Sequence, residues 1–486
     1  MSANFLHGVE TIEVQTGPRP ITGVKTAVIG LVGAAPIFDV DAADQQINKA
    51  VLILNPQDAA KYMGQNRDGF SIPSALDAIF AQGNGPIVLA INVLDPTVHF
   101  TSVASELDTF SAATDTLNLA HPGVASVVVK NVAGTVTYVL NTDYTLDAAN
   151  GIITRLATGA ITSGEQVSIA YNWADPSKVQ TSDIIGMVDA SGNRTGMQAL
   201  LNCYQLFGYY PKIIIAPGYS TLAAVVTAMD TIAASCRAMW IADAPAGTTV
   251  QQAITGRGPS GAINFDISSA RGILAYPEME VYDETSNSNV LEPYSPFVAG
   301  AMAANDVEKG YWWSPSNREI KGIVGTERTL TAMINDPTSE TNQLNAVGIV
   351  VVFNSFGTGF RIWGNRTAAY PSSTAPTVFI PVRRTADVIE ESIEYFSAQF
   401  MDYPINQALI DSIVESVNRF GRSLVGKGAL IDFKCWYDPA ANPDTEVSAG
   451  HLTFNYNFMP PPPAERITFE SYVDITMLSS LGTGNQ

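Results

Sequence analysis

The sequence predicts a multidomain combination of α/β and α+β folds, and three observations carry that prediction. Apolar strand runs such as Ala27–Val32 and Ile87–Val93 alternate with helical periodicity such as Ile72–Phe80, which is typical of an α/β layer. Short β-branched runs about ten residues apart fill residues 99–177, as in a small β-sandwich or barrel. After residue 360, two amphipathic helices and two strands indicate an α+β unit.

The α/β layer continues after the β-rich segment. Its second half is predicted to contain strands Ile213–Ala216, Ala238–Ala242 and Arg271–Tyr276 and helix Thr221–Ala234. The β-rich segment therefore interrupts the layer, and we interpret it as an insertion on the outside of the molecule, since insertions are tolerated at exposed loops. Its strands are predicted at Val124–Val129, Thr135–Leu140, Tyr144–Leu146, Gly151–Arg155 and Gln166–Tyr171.

The carboxy-terminal unit is predicted to contain helices Thr385–Met401 and Ile405–Leu424 and strands Leu430–Trp436 and Leu452–Phe458. We expect the following organisation: an amino-terminal arm (1–24), a middle α/β domain in two parts (25–98 and 178–359), the inserted outer β domain (99–177), an inner carboxy-terminal α+β domain (360–466) and a carboxy-terminal arm strand (467–486), with the arm strands completing the α+β domain.

Both chain ends read as short strands without an obvious local partner. Apolar residues alternate with polar ones at Ile12, Val14, Ile467, Phe469, Val473 and Ile475. Helix and strand breakers separate these strands from the body, at Gly17, Pro18 and Pro20 and at Pro460, Pro461, Pro462 and Pro463. We expect these breakers to act as hinges and the strands to pair within the chain or on a neighbouring molecule.

Composition excludes several classes of protein. The net charge of −20 argues against nucleic acid binding, which needs clustered Lys and Arg. Only 15% of the residues are charged and the mean hydropathy is +0.11, so either much of the outer surface is buried in an assembly or the chain is a monomer with a large core. Three distant cysteines indicate a reducing compartment, and without a signal peptide or membrane segment we expect assembly in the cytoplasm.

A search for catalytic chemistry finds little. The segment Gly421–Gly428 matches GxxxxGK, but Gly428 replaces the magnesium-binding Ser or Thr, and a helix precedes where a strand is needed. The four histidines are scattered, which argues against a metal site. The acidic cluster Glu390, Glu391 and Glu394 is more typical of a solvated or partner-facing helix side than of an acid–base pair. We predict no enzyme activity and no cofactor.

Several segments together resemble the contractile tail sheath family of myoviruses and R-type pyocins. They are Leu6–Glu10 with Val28–Gly33, Asp306–Asn317, Phe360–Thr367 and Phe458–Ile467, and the last two are the most specific. The resemblance implies a virion tail protein, assembled in the host bacterial cytoplasm, that forms stacked hexameric rings around an inner tail tube. It implies contraction that drives the tube through the host envelope, without nucleotide, and contacts with the baseplate and the tail terminator.

The resemblance also implies that the terminal arms add strands to neighbouring subunits, which is β-augmentation. Two charged sets are candidates for the surface that faces the tube: Glu390, Glu391 and Glu394, or Arg419, Arg422 and Lys427. Alternatives remain at this point: a phage-derived particle such as a pyocin, an α/β enzyme with a crevice at its strand ends, or another phage shell protein.

Overall fold

The computed structural model describes residues 21, 23–258, 261, 263–284, 286–354, 357 and 359–480. The strands in these residues are β1 Val28–Gly33, β2 Ala50–Ile53, β3 Ile87–Asn92, β4 Phe100–Thr109, β5 Thr116–Asn118, β6 Val124–Asn131, β7 Tyr144–Asp147, β8 Ile152–Arg155, β9 Gln166–Ala174, β10 Ile213–Ile215, β11 Met239–Asp243, β12 Gly272–Ala275, β13 Met279–Asp283, β14 Ser288–Glu292, β15 Gly325–Thr326, β16 Ile349–Phe353, β17 Arg361–Trp363, β18 Asp432–Tyr437 and β19 Phe454–Met459. The helices are α1 Pro56–Met63, α2 Ser71–Ala81, α3 Thr181–Ile185, α4 Cys203–Phe207, α5 Ala223–Cys236, α6 Val250–Thr255, α7 Ser295–Glu308, α8 Glu340–Asn345, α9 Ile380–Ser397, α10 Gln407–Gly426 and α11 Asp444–Ser448.

An eight-stranded sheet in the order β17-β16-β12-β11-β10-β1-β3-β2 organises the larger part of the chain. Its inner strands are parallel, and the edge strands β17 and β2 run antiparallel to their neighbours. Every residue of β1 is buried: Val28 and Val32 point into one hydrophobic core, and Ile29 and Leu31 into another on the opposite face. Covering both faces is what a parallel sheet requires, and the predicted mixed α/β character is confirmed.

Two three-stranded antiparallel sheets, β4-β9-β6 and β5-β8-β7, form the β-rich segment around a core of their own. That core includes Val129, Ile153 and Ile169. The strand predicted at Thr135–Leu140 is wrong, because only isolated bridges occur there, at Thr137 and Leu140. Strands β4 and β5 were not predicted. The domain boundaries themselves stay a prediction.

The carboxy-terminal elements pack around a fourth core that includes Ile389, Phe420 and Phe433. Helix α9 starts at Ile380, earlier than predicted, because Pro381 in its first turn suits a helix start. Helix α10 begins after Asn406, whose side chain accepts the Leu409 N–H as an N-cap. Strands β18 and β19 form a two-stranded antiparallel sheet, and β18 packs on α10.

The predicted carboxy-terminal arm strand is not a strand in the single chain. Residues 460–474 have no regular structure, and Ile475–Ser480 form a 3-10 helix. A strand needs a partner for its backbone hydrogen bonds, and no described backbone group pairs with this segment as a ladder. The amino-terminal predictions, Ile12 and Val14 as a strand and Gly17, Pro18 and Pro20 as breakers, lie outside the described residues.

Candidate functional site

The carboxy-terminal tail exposes more large apolar surface than a free chain normally tolerates. Ile467, Phe469, Val473 and Ile475 are 70%, 89%, 104% and 76% exposed, and Tyr472, Met477 and Leu478 are also more than half exposed. Isolated exposed apolar residues are ordinary, whereas a continuous run of them marks a surface that another molecule covers. The four carboxy-terminal residues predicted for strand exchange are therefore exposed to a partner.

An arginine from the body holds the base of this tail. The Arg366 guanidinium lies 3.9 Å from the ring centroid of Tyr370 and 4.8 Å from that of Phe379. The same guanidinium donates hydrogen bonds to both carboxylate oxygens of Glu465, one of them at 2.8 Å. Planar stacking and a two-point carboxylate contact are what arginine offers and lysine does not. We call this arrangement the tail latch.

The proline run lies along the body up to that latch. Pro460 is buried, Pro461 and Pro463 are half-buried, and Pro462 is exposed. Beyond Glu465, residues 466–478 are exposed throughout. The sequence pattern identified the prolines but not Arg366, although Arg366 lies inside one of the four segments that resemble the family. No local sequence pattern relates Arg366 to the two rings on which it stacks.

A charged seam joins α9 to the central sheet and to helix α7, which covers that sheet. Ion pairs link Lys212 to Glu391, Arg237 to both Glu390 and Glu394, Arg271 to Asp387, and Arg384 to Asp306. Arg237 lies at the end of α5, where its left-handed backbone conformation closes the helix. The seam thus draws its partners from chain segments far apart in sequence, and it ties the carboxy-terminal core to the central sheet.

This seam corrects the interpretation of the acidic cluster. Glu391 is 5% exposed and is paired with Lys212, so its side chain faces the chain's own body and not an external partner. Glu390 and Glu394 both contact Arg237. The alternative basic set is more accessible: Arg419, Arg422 and Lys427 are exposed on and just after the last turns of α10, where Arg422 pairs with Glu415.

The GxxxxGK segment has a packing explanation. A Cβ on Gly421 would lie 2.0 Å from the Phe433 ring, so glycine allows α10 to approach β18 closely. Gly426 is the last residue of α10, and Lys427 follows it in exposed surroundings. Residues 421–426 of the segment thus form the end of helix α10 and strand β18 follows, whereas a P-loop lies between a strand and the helix after it.

Asp243, at the end of strand β11, has more partners than the sequence suggested. Its carboxylate accepts hydrogen bonds from the Ser220 hydroxyl, the Ser295 hydroxyl and the Ser295 N–H at the start of α7. Complete burial raises the pKa of Asp243 to about 6. The cluster stabilises the start of a helix, and the described residues contain no group of metal-ligating side chains.

Comparison with known proteins identifies the family. Family models for the phage tail sheath protein central domain and the phage tail sheath C-terminal domain match residues 192–368 and 372–474. The tail sheath protein of Burkholderia phage BcepMu is 52% identical over 486 residues and is covered, like this chain, over 100% of its length. The chain belongs to the phage tail sheath family. Members of this family are structural proteins, so the chain is not an enzyme.

More distant tail sheath relatives agree. The tail sheath protein of Escherichia phage P2 is 24% identical over 481 residues, with 99% of this chain and 98% of the relative covered. Two solved sheaths share the fold at a TM-score of 0.58: the PVC sheath of an extracellular contractile injection system (15% identity, 98% and 100% covered) and the helical sheath of the anti-feeding prophage (16%, 97% and 100%), both contracted.

One part of the chain is less informative. Residues 95–182, which contain the two small sheets, match a family model described only as a protein of unknown function.

Among the described helices, none combines the length and apolar character that a membrane crossing would need.

Proposed function

We propose that this sheath subunit polymerises as stacked hexameric rings around an inner tail tube, and that the polymer contracts to drive the tube through the host envelope. The observation that carries the proposal is the exposed apolar tail, which a subunit without neighbours leaves in water. Membership of the tail sheath family supports it, as do the helical, contracted sheaths that share the fold.

The proposed assembly contact is strand exchange. The alternating residues Ile467, Phe469, Val473 and Ile475 add as a strand to a sheet of a neighbouring subunit, with backbone hydrogen bonds supplying affinity and the apolar face supplying register. The amino-terminal residues Ile12 and Val14 do the same on another neighbour. The tail latch fixes where the carboxy-terminal arm leaves the body, and the proline run Pro460–Pro463 acts as the hinge, so the exchanged strands stay paired through contraction.

Further partners follow from the same proposal. The subunit contacts the tail tube, the baseplate and the tail terminator in the virion tail, after assembly in the bacterial cytoplasm; a solved anti-feeding prophage baseplate contains a chain of this fold. For the tube we retain Arg419, Arg422 and Lys427, because their side chains are exposed, and set Glu391 aside, because it is buried. Charge reversal at the basic set should then abolish co-sedimentation with the tube protein.

Two pairs of variants test strand exchange. Deleting residues 467–486 should leave a folded subunit that forms no tubes in negative-stain electron microscopy at any concentration, whereas deleting only 481–486 should leave tube formation intact. Phe469→Asp should also prevent tubes, while Thr468→Asp adds the same charge on the opposite face of the arm and should be tolerated. Normal tubes from the longer deletion would exclude arm exchange.

If the full-length chain forms no tubes on its own, the experiment is repeated with the inner tube protein present as a template. Tubes that appear only with the template would retain the sheath proposal, and a small discrete particle under both conditions would exclude it.

A further inference from the structure

The sheet formed by β18 and β19 has two edges that are not equivalent. On β18, Asn418 of helix α10 contacts the backbone of Cys435 at two points: its amide nitrogen donates to the Cys435 carbonyl at 2.8 Å, and its amide oxygen accepts the Cys435 N–H at 2.8 Å. The neighbouring outward N–H, that of Phe433, donates to the Asp432 carboxylate at 2.8 Å. Side chains therefore occupy three of the backbone groups that an added strand would pair with: the Cys435 N–H and C=O and the Phe433 N–H.

The register of the hairpin shows which groups of β19 point outward. Cys435 lies opposite Tyr456. In an antiparallel pair, opposite residues either exchange both hydrogen bonds or both point away from each other. Because Asn418 binds the Cys435 N–H and C=O on the side away from β19, the Tyr456 N–H and C=O point to the far edge of β19. No described residue outside the hairpin donates to or accepts from them.

The side chains next to that open edge suit an apolar strand. Phe454, Tyr456 and Phe458 are only partly buried, and they border the core beneath the hairpin. Phe469 and Val473 of the tail, spaced to share one face of a strand, are almost fully exposed in the single chain. Within one subunit, no described backbone hydrogen bond ties residues 466–474 to either hairpin strand.

We propose that Asn418 is an edge guard: in the free subunit its carboxamide closes the outer edge of β18, so that the carboxy-terminal arm of a second copy of this chain adds first to the open edge of β19. This inference rests on the proposed arm exchange. An unguarded edge is a site of uncontrolled pairing, and the guard leaves one edge available before assembly. Strand addition to β18 requires the Asn418 carboxamide to leave Cys435.

Hydrogen exchange measured by mass spectrometry on the full-length chain, below its assembly concentration, tests the guard. In Asn418→Ala, the Cys435 amide, followed in a peptide that covers 432–437, should exchange at least about tenfold faster than in the unmodified chain, because the Cys435 N–H loses its acceptor. Asn442→Ala is the matched control. Asn442 makes the same two-point amide contact, at 2.6 and 2.8 Å, with the Thr453 backbone in the connection before β19, and removing it should leave 432–437 unchanged.

A synthetic peptide of residues 464–480 then probes the two edges. In the unmodified chain it should protect 454–459 only; in Asn418→Ala it should protect both 454–459 and 432–437. If Asn418→Ala unfolds, Asn418→Asp replaces it. This variant keeps the acceptor for the Cys435 N–H but not the donor, and should show intermediate peptide protection of 432–437.

Two results would overturn the proposed role of Asn418: unchanged exchange of 432–437 in the free Asn418→Ala chain, or peptide protection of 432–437 in the unmodified chain. Protection of neither strand in any protein refutes the arm exchange itself.

Discussion

The Arg384–Asp306 pair is the most deeply buried contact of the charged seam. Arg384 donates to both Asp306 oxygens, and the two side chains are 5% and 1% exposed. A buried pair of this kind adds little net stability, because the cost of removing two charges from water offsets their attraction. Removing one partner, by contrast, lowers the stability of the fold, because the remaining charge is then buried without compensation.

Arg384→Met should therefore destabilise the chain strongly. We expect the free energy of unfolding, measured by denaturant titration, to fall by about 3–5 kcal/mol. Arg422→Met removes a pair with Glu415 whose side chains are 61% and 56% exposed, and it should cost less than about 1 kcal/mol. Similar losses in the two variants would mean that the seam is not the structural joint described above.

Asp243 makes the free energy of unfolding depend on pH. Burial raises its pKa from 3.8 to about 6, so the folded state holds the proton more tightly than the unfolded state does. The resulting stabilisation is complete below about pH 4 and is lost as the pH rises through about 6. Asp243→Asn cannot ionise. Relative to the unmodified chain, it should gain about 2 kcal/mol of unfolding free energy between pH 4 and pH 7. A difference that stays constant with pH would show that Asp243 does not titrate in this range.

Helix α10 and strand β18 meet at Gly421, which makes their separation sensitive to one methyl group. A Cβ there would lie 2.0 Å from the Phe433 ring, whereas a Cβ at Gly426 has no neighbour within 4 Å. Gly421→Ala should lower the free energy of unfolding by about 1–3 kcal/mol, because overpacking outweighs the gain in helix propensity. Gly426→Ala should be neutral or stabilising by up to about 1 kcal/mol. Thermal unfolding of both variants measures the contrast, and a stabilised Gly421→Ala would refute the close packing.

Elements of the central sheet could be predicted because their apolar runs are a direct consequence of burial on both faces. Strand β4 could not, since a register shift between Val103 and Glu106 breaks its period-2 pattern and all of its residues are exposed or half-buried. The charged seam could not be predicted from the sequence either. Glu390, Glu391 and Glu394 are close together on one helix, but Lys212 and Arg237 contact them only in the tertiary fold.

The carboxy-terminal arm is the element in which the sequence pattern and the single chain differ most. Its alternation of apolar and polar residues predicts a strand, yet the single subunit leaves residues 467–474 without a ladder. The family and the exposed apolar side chains explain both facts if the partner strand belongs to another subunit. The asymmetry of the β18–β19 hairpin could not be predicted from the sequence, because Asn418 and Cys435 meet only when α10 packs on β18.

The charge of the whole subunit makes a prediction about assembly. Each copy carries a net charge of −20, so copies repel one another when they come together. Salt screens that repulsion, as the Debye length shortens from about 30 Å at 0.01 M to about 8 Å at 0.15 M. The concentration at which tubes pellet in a sedimentation assay should therefore fall as salt rises over this range, while the chain lacking residues 467–486 stays in the supernatant throughout. A threshold that rises with salt would instead mean that attraction between oppositely charged surfaces, and not burial of the apolar arm, drives the contact between subunits.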